Sequence, residues 1–140
     1  MTTVLPDEIR AALDNGLPAL MVTCSADGTP NATIISKVYF VDDTHVALSF
    51  QFFNKTIRNV RENPRAWTAV IDMAGHADWT LDLAFERSET SGPIFDVMDM
   101  QIEAIASATG MSGIFKLRAA DIYRVLAVDK VPHQPHDGPP

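Results

Sequence analysis

The chain of 140 residues lacks most features of secreted and membrane-spanning proteins. Its one cysteine, Cys24, cannot form an internal disulfide, which fits a reducing cytoplasm. The opening residues, MTTVLPDEIR, lack the basic segment and the apolar segment of a signal peptide. No apolar run approaches the ~20 residues that a membrane-spanning helix needs. We therefore expect a cytoplasmic protein with no membrane partner.

Positive charge is also scarce, with 11 Lys and Arg against 18 Asp and Glu, a net charge of −7. This balance argues against nucleic-acid binding, because a polyanion would be repelled. Neither a G-x-S-x-G motif nor a phosphate-binding P-loop occurs. His133 and His136 stand in an H-x-x-H pattern, but they lie among prolines without supporting ligands, so we predict no metal site. No catalytic acid or base is predicted either.

The length of the chain predicts a single domain, and its hydrophobic patterns predict both strands and helices. Apolar and β-branched runs between turn residues predict strands at 19–25, 31–41, 45–50, 66–72, 114–117 and 121–128. The first three should form an antiparallel meander. In DWTLDLAFER, apolar and polar residues alternate with a period of two, which predicts one buried face.

Helices are predicted at 6–15, from Asn54 to about Glu62, and through Ile94, Met98 and Ile102, which recur at helical spacing. The result is an α+β domain over 1–131, followed by a flexible proline-rich tail at 132–140. Six to seven mostly antiparallel, Greek-key-like strands with two to three helices would form a small β-barrel, which removes exposed sheet edges.

The segment FQFFNKTIRNVRENPR concentrates positive charge in this acidic chain. Lys55, Arg58 and Asn59 are spaced i, i+3 and i+4, so they share one helical face. Lys55 falls in the first turn, where free backbone N–H groups and the helix dipole favour an anion such as phosphate. A solvated basic face would explain the same spacing. Both interpretations stay open at this point.

The same region resembles a known family. ALSFQFFNKTIRNVRENPR (47–65) is similar to the signature of the FMN-binding split-barrel proteins related to pyridoxamine 5′-phosphate oxidase. The pattern K-T-x-x-N-hydrophobic-x-x-N-P is filled by Lys55, Thr56, Asn59, Val60, Asn63 and Pro64. Upstream, LMVTCSADGTPNATIISKVYFV resembles the family's opening hairpin. The resemblance covers about residues 16–72 and continues beyond them in element order alone.

The resemblance implies a split barrel that holds FMN between the two subunits of a homodimer. The flavin ring would lie along Thr33, Ile34, Ile35 and Ser36, with Lys37 closing the strand. Ser49 and Phe50 would flank the ribityl chain. The phosphate would be held at the start of the helix by Asn54, Lys55 and Thr56, supported by Arg58 or Asn59. One position departs from the family: Ala32 stands where many members have a phosphate-binding arginine.

The resemblance further implies a flavin-dependent oxidoreductase acting on a small-molecule substrate. Pyridoxamine 5′-phosphate oxidase activity itself is not expected, because the family's basic and aromatic C-terminal segment is replaced by a proline-rich tail after Ile122-Tyr123-Arg124-Val125. Two alternatives remain: the same fold binding the deazaflavin F420 or haem, or a flavin-binding sensor dimer without turnover.

Overall fold

The computed structural model describes residues 3–14, 18–35, 37–50, 54–72, 75, 77–108, 110 and 117–133; the side chains of residues 50, 54–57 and 105 lie outside this description. The strands are β1 (Ala19–Cys24), β2 (Pro30–Ile35), β3 (Val38–Asp42), β4 (His45–Phe50), β5 (Arg65–Val70), β6 (Ala77–Glu89) and β7 (Ala119–Pro132). The helices are α1 (Ile9–Asp14), α2 (Asn54–Glu62) and α3 (Pro93–Ala108).

The seven strands form one antiparallel sheet in the order β2-β1-β5-β6-β7-β4-β3. Its two edges, β2 and β3, are consecutive in the chain. A flat sheet would hold these edges about 29 Å apart, since seven strands are separated by six gaps of about 4.8 Å. The three Cα steps from Ile35 to Val38 cover at most about 11 Å. The sheet therefore curls into a barrel split between β2 and β3, which confirms the predicted fold class.

The barrel interior is filled by the inward faces of the strands. On β6, Trp79, Leu81 and Leu83 are buried while their neighbours are half-exposed, as the period of two predicted. Ile35 and Val38 lie in the same apolar cluster, so the two edge strands share one core. Helices α1 and α2 add to this core, α2 through Val60.

A second, smaller core lies on the outer face of β3, β4 and β7. Met98 and Ile102 of α3 pack there against Tyr39, Ala47 and Ile122. Met98 and Ile102, two of the residues whose spacing predicted this helix, are buried. Among the described residues, no helix is long and apolar enough to cross a membrane.

The prediction of one strand over 31–41 is wrong. The chain forms β2 and β3 instead, which lie at opposite edges of the sheet, and β3 pairs with β4 whereas β2 pairs with β1. The predicted meander is therefore two separate hairpins. The reason is that both halves are β-branched and favour strand, while pairing with distant strands decides where the strand breaks.

The end of the chain also differs from the prediction. Strand β7 continues to Pro132, the first residue of the predicted tail, and Pro132 lies opposite Ala77 of β6. Residues 134–140 lie outside the described residues. Of the predicted strand at 114–117 only Leu117 is described, and it precedes β7.

Candidate cofactor-binding site

The strand expected to carry a flat ligand, β2, is an edge strand. It pairs with β1, with Thr33 opposite Met21, and within the described residues its other edge has no paired strand. Ile34 is 61% exposed, Thr33 is half-buried and Ile35 is buried. The strand thus offers an apolar surface and backbone polar groups side by side. A flat ring with a polar rim is the kind of ligand that fits such an edge.

Helix α2 packs across one end of this strand pair. The Asn59 amide nitrogen donates a hydrogen bond to Thr23 Oγ1 at 3.1 Å, and both side chains are buried. Thr23 lies opposite Asn31, near the start of β2. The predicted phosphate-supporting residue Asn59 therefore fixes α2 onto β1, whereas Arg58 is exposed to solvent.

The first turn of α2 holds three of the predicted phosphate residues. Asn54, Lys55 and Thr56 begin the helix, so their backbone N–H groups belong to the free donors of a helix start. Their side chains, and that of Phe50, lie outside the described residues. Ser36 lies outside them entirely. Phosphate binding by these side chains stays a prediction.

Lys37 lies beyond the other end of β2. Lys37 follows Asn31 by six positions, which span at most about 20 Å of extended chain. Its Nζ is 3.2 Å from Gln101 Oε1 on α3 and 5.2 Å from the centroid of the Tyr39 ring. The positive charges of the predicted site therefore lie at two separate ends of β2. Ala32 is exposed near the α2 end.

Strand β4 buries Ser49 opposite Ala120 of β7, on the face of the sheet that carries the second core. Ala120 is followed in β7 by Asp121, a buried carboxyl that was not among the predicted site residues. Burial raises the pKa of Asp121, while the hydrogen bond from Ser88 Oγ and the nearby charge of Arg61 oppose that rise in part. The one sequence signal was an acidic residue inside the apolar run AADIYRVL.

A profile of the pyridoxamine 5′-phosphate oxidase family matches residues 5–125, most of the chain. The chain belongs to this family. The match includes β2, β4 and α2, so the resemblance read from the K-T-x-x-N pattern is confirmed at the level of the family. No curated protein matches the chain.

Several solved structures share the fold. An FMN-binding protein from Syntrophomonas wolfei subsp. wolfei has a TM-score of 0.73 at 14% identity, covering 92% of this chain and 87% of that one. An F420 reductase has a TM-score of 0.64 at 15% identity, covering 89% and 98%. HutZ, a haem storage protein from Vibrio cholerae, has a TM-score of 0.57 at 16% identity, covering 95% and 93%. At these identities the similarity establishes the fold.

A separate group of titratable side chains lies at the far end of β4. His45 Nδ1 is 3.0 Å from Asp42 Oδ1, and His45 Nε2 is 2.9 Å from Glu86 Oε2. Desolvation lowers the pKa of His45, but the hydrogen bonds to the two carboxylates outweigh it, and the pKa is raised above 6.5. The doubly protonated ring can donate to both carboxylates. The ring thereby links the β3–β4 turn to β6.

The Asn59–Thr23 contact gives a first prediction. Replacing Asn59→Ala removes the donor to a buried hydroxyl and should lower the free energy of unfolding by about 1–3 kcal/mol. Arg58→Ala, one residue away but exposed, should change it by less than about 0.5 kcal/mol. Urea unfolding of these two variants, of Thr23→Val and of the double variant Asn59→Ala/Thr23→Val measures the coupling energy between Asn59 and Thr23. Strictly additive effects of Asn59→Ala and Thr23→Val would contradict the contact.

The His45 group gives a second prediction. Because its folded pKa is raised, the stabilisation is fully present below the unfolded pKa of about 6.5 and is lost as pH rises through the folded value. The stability difference between the wild type and His45→Gln should therefore shrink as the pH rises above about 6.5. Denaturant unfolding at several pH values measures it. A difference that grows with pH would show that the ring is neutral in the folded protein.

Proposed function

We propose that the protein is an FMN-binding oxidoreductase that transfers reducing equivalents between a nicotinamide and a small-molecule acceptor. The observation that carries the proposal is the arrangement of α2 against β1 and β2. The buried Asn59–Thr23 contact fixes the middle of α2 onto β1, the strand that pairs with β2. This helix carries a lysine in its first turn, and β2 is an edge strand with exposed apolar surface. Family membership and an FMN-binding structural neighbour support the same cofactor.

The residues present fit FMN at both of its ends. The ring would lie on the edge of β2 at Thr33, Ile34 and Ile35, where backbone groups can meet its polar rim. The phosphate would lie at the start of α2, where Lys55 and free N–H groups would provide charge-assisted hydrogen bonds. FMN would supply hydride and electron transfer, while the chain would bind and orient it.

A homodimer belongs to this proposal. An edge strand that carries an exposed isoleucine leaves one side of the ring uncovered by this chain, and a second subunit would cover it. The single cysteine agrees with a cytoplasmic location.

F420 is the second candidate cofactor. Ala32 removes an arginine from the phosphate end, and an F420 reductase has the same fold. The exposed Arg58 and Arg61 on α2 would suit a longer anionic tail. Haem is less favoured, because it needs an axial ligand and the described His45 and His133 are engaged by carboxylates. A sensor dimer would bind flavin without turnover.

The test is an absorption spectrum of the purified protein before and after adding FMN and desalting. Retained bands near ~370 and ~450 nm would support the proposal, and reduction by a nicotinamide would then separate an enzyme from a sensor. A band near ~420 nm would favour F420 or haem instead. A folded protein that retains no chromophore would overturn the proposal.

The phosphate assignment gives a third prediction. Lys55→Ala should weaken FMN binding by about one to two decades, the loss of one charge-assisted contact of about 1.5–3 kcal/mol. Riboflavin, which lacks the phosphate, should bind the wild type and this variant equally. Arg65→Gln, an exposed site on β5, is the matched control. An unchanged dissociation constant for FMN in folded Lys55→Ala would reject the assignment.

A further inference from the structure

Helix α2 presents two arginines to solvent on the side that faces away from the barrel. Asn59 and Val60 are buried, whereas Arg58 and Arg61 are exposed. The two arginines are spaced i and i+3, so they share one helical face and lie about 4.5 Å apart along the helix axis. They follow Lys55 by about one and two turns, beyond the start of α2 where the FMN phosphate is proposed to lie.

Neither arginine is neutralised by a neighbouring carboxylate. Glu62 follows Arg58 by four positions, the spacing at which ion pairs form on a helix. In the described part of the chain, however, no carboxylate lies within salt-bridge distance of Arg58 or Arg61. Arg61 acts at longer range on the buried Asp121, where burial raises the pKa and this charge opposes the rise. Two positive charges thus lie side by side on a chain of net charge −7.

The chemistry of this pair suits two linked phosphates. A guanidinium group can bind one phosphate through two parallel hydrogen bonds. Two such groups, one helical turn apart on the same face, can therefore bind the two phosphates of a diphosphate. The negative field of the rest of the chain repels polyanions, so this face is where a diphosphate would be attracted.

We propose that Arg58 and Arg61 form a second phosphate site, which binds the diphosphate of a nicotinamide adenine dinucleotide. Such a ligand belongs to the proposed reaction, because nicotinamide is carried on an adenine dinucleotide with a diphosphate at its centre. The assignment as substrate rests on the proposed function. Binding of the diphosphate itself rests on the two arginines alone. FAD has the same diphosphate, and the experiments below distinguish the two sources.

The first experiment is calorimetric titration of ADP, AMP and adenosine into the protein saturated with FMN, which occupies the start of α2. ADP should bind about tenfold more tightly than AMP, because it adds a second charge-assisted contact, and adenosine should bind most weakly. Equal binding of ADP and AMP would overturn the proposal. If the protein binds no FMN, the same titration is made without it. ADP binding there would reject the proposed function and leave the arginine site standing.

Substitutions on and off α2 locate the site. Arg58→Gln and Arg61→Gln should each weaken ADP binding about tenfold. Glu62→Gln should tighten it about threefold by removing a nearby negative charge, a gain that misfolding cannot produce. Arg65→Gln and Lys130→Gln remove the same positive charge outside α2 and should change the affinity less than about twofold. Equal weakening by all four charge-removing substitutions, or none by Arg58→Gln and Arg61→Gln, would reject the site.

Steady-state kinetics of the FMN-loaded protein identify the source of the diphosphate. With NADH as the donor, Arg58→Gln should raise KM about tenfold and leave kcat unchanged, since the contact is made equally in the bound and the reacting state. An unchanged KM would overturn the assignment as substrate. So would tighter binding of FAD than of FMN to the wild type, with that preference lost in Arg58→Gln, because the diphosphate would then belong to the cofactor.

Discussion

The structure depends on the short connection between its two edge strands. Ser36 and Lys37 alone separate β2 from β3, although the two strands stand at opposite ends of the seven-strand order. This connection forces the sheet to curl, and burial of Ile35 and Val38 in one core stabilises the curled form. The proposed cofactor site on β2 lies beside this split. The outer edge of β2 remains free for a ligand because the barrel is not closed there by pairing within the described residues.

Two further contacts determine what the split can bind. The buried Asn59–Thr23 hydrogen bond fixes the basic helix at one end of β2. At the other end, Lys37 Nζ donates a hydrogen bond to Gln101 Oε1 of α3. Both side chains line a cleft along β3. A cofactor along β2 would thus have its phosphate at α2 and its ring toward Lys37.

Local patterns in the sequence predicted most helices and strands. Contacts between distant residues determined where one strand breaks and which side chains meet. Helical spacing predicted α2 and α3, and the period of two predicted β6, because each signal lies within the element itself. The break between β2 and β3 carries no glycine or proline, so only pairing with β1 and β4 reveals it. The contacts of Thr23 with Asn59, of Ser88 with Asp121 and of His45 with Glu86 join residues more than thirty positions apart. The cleft likewise combines Arg10, Lys37 and α3, and no sequence motif joins them.

Amide hydrogen exchange with and without FMN tests the central claim most directly, because it reports where the cofactor binds. If FMN lies along β2 with its phosphate at α2, exchange should slow at residues 31–37 and in the first turn of α2, while β6, in the middle of the sheet, should change little. FMN that binds but leaves these two segments unchanged, or protects another part of the barrel instead, would contradict the account.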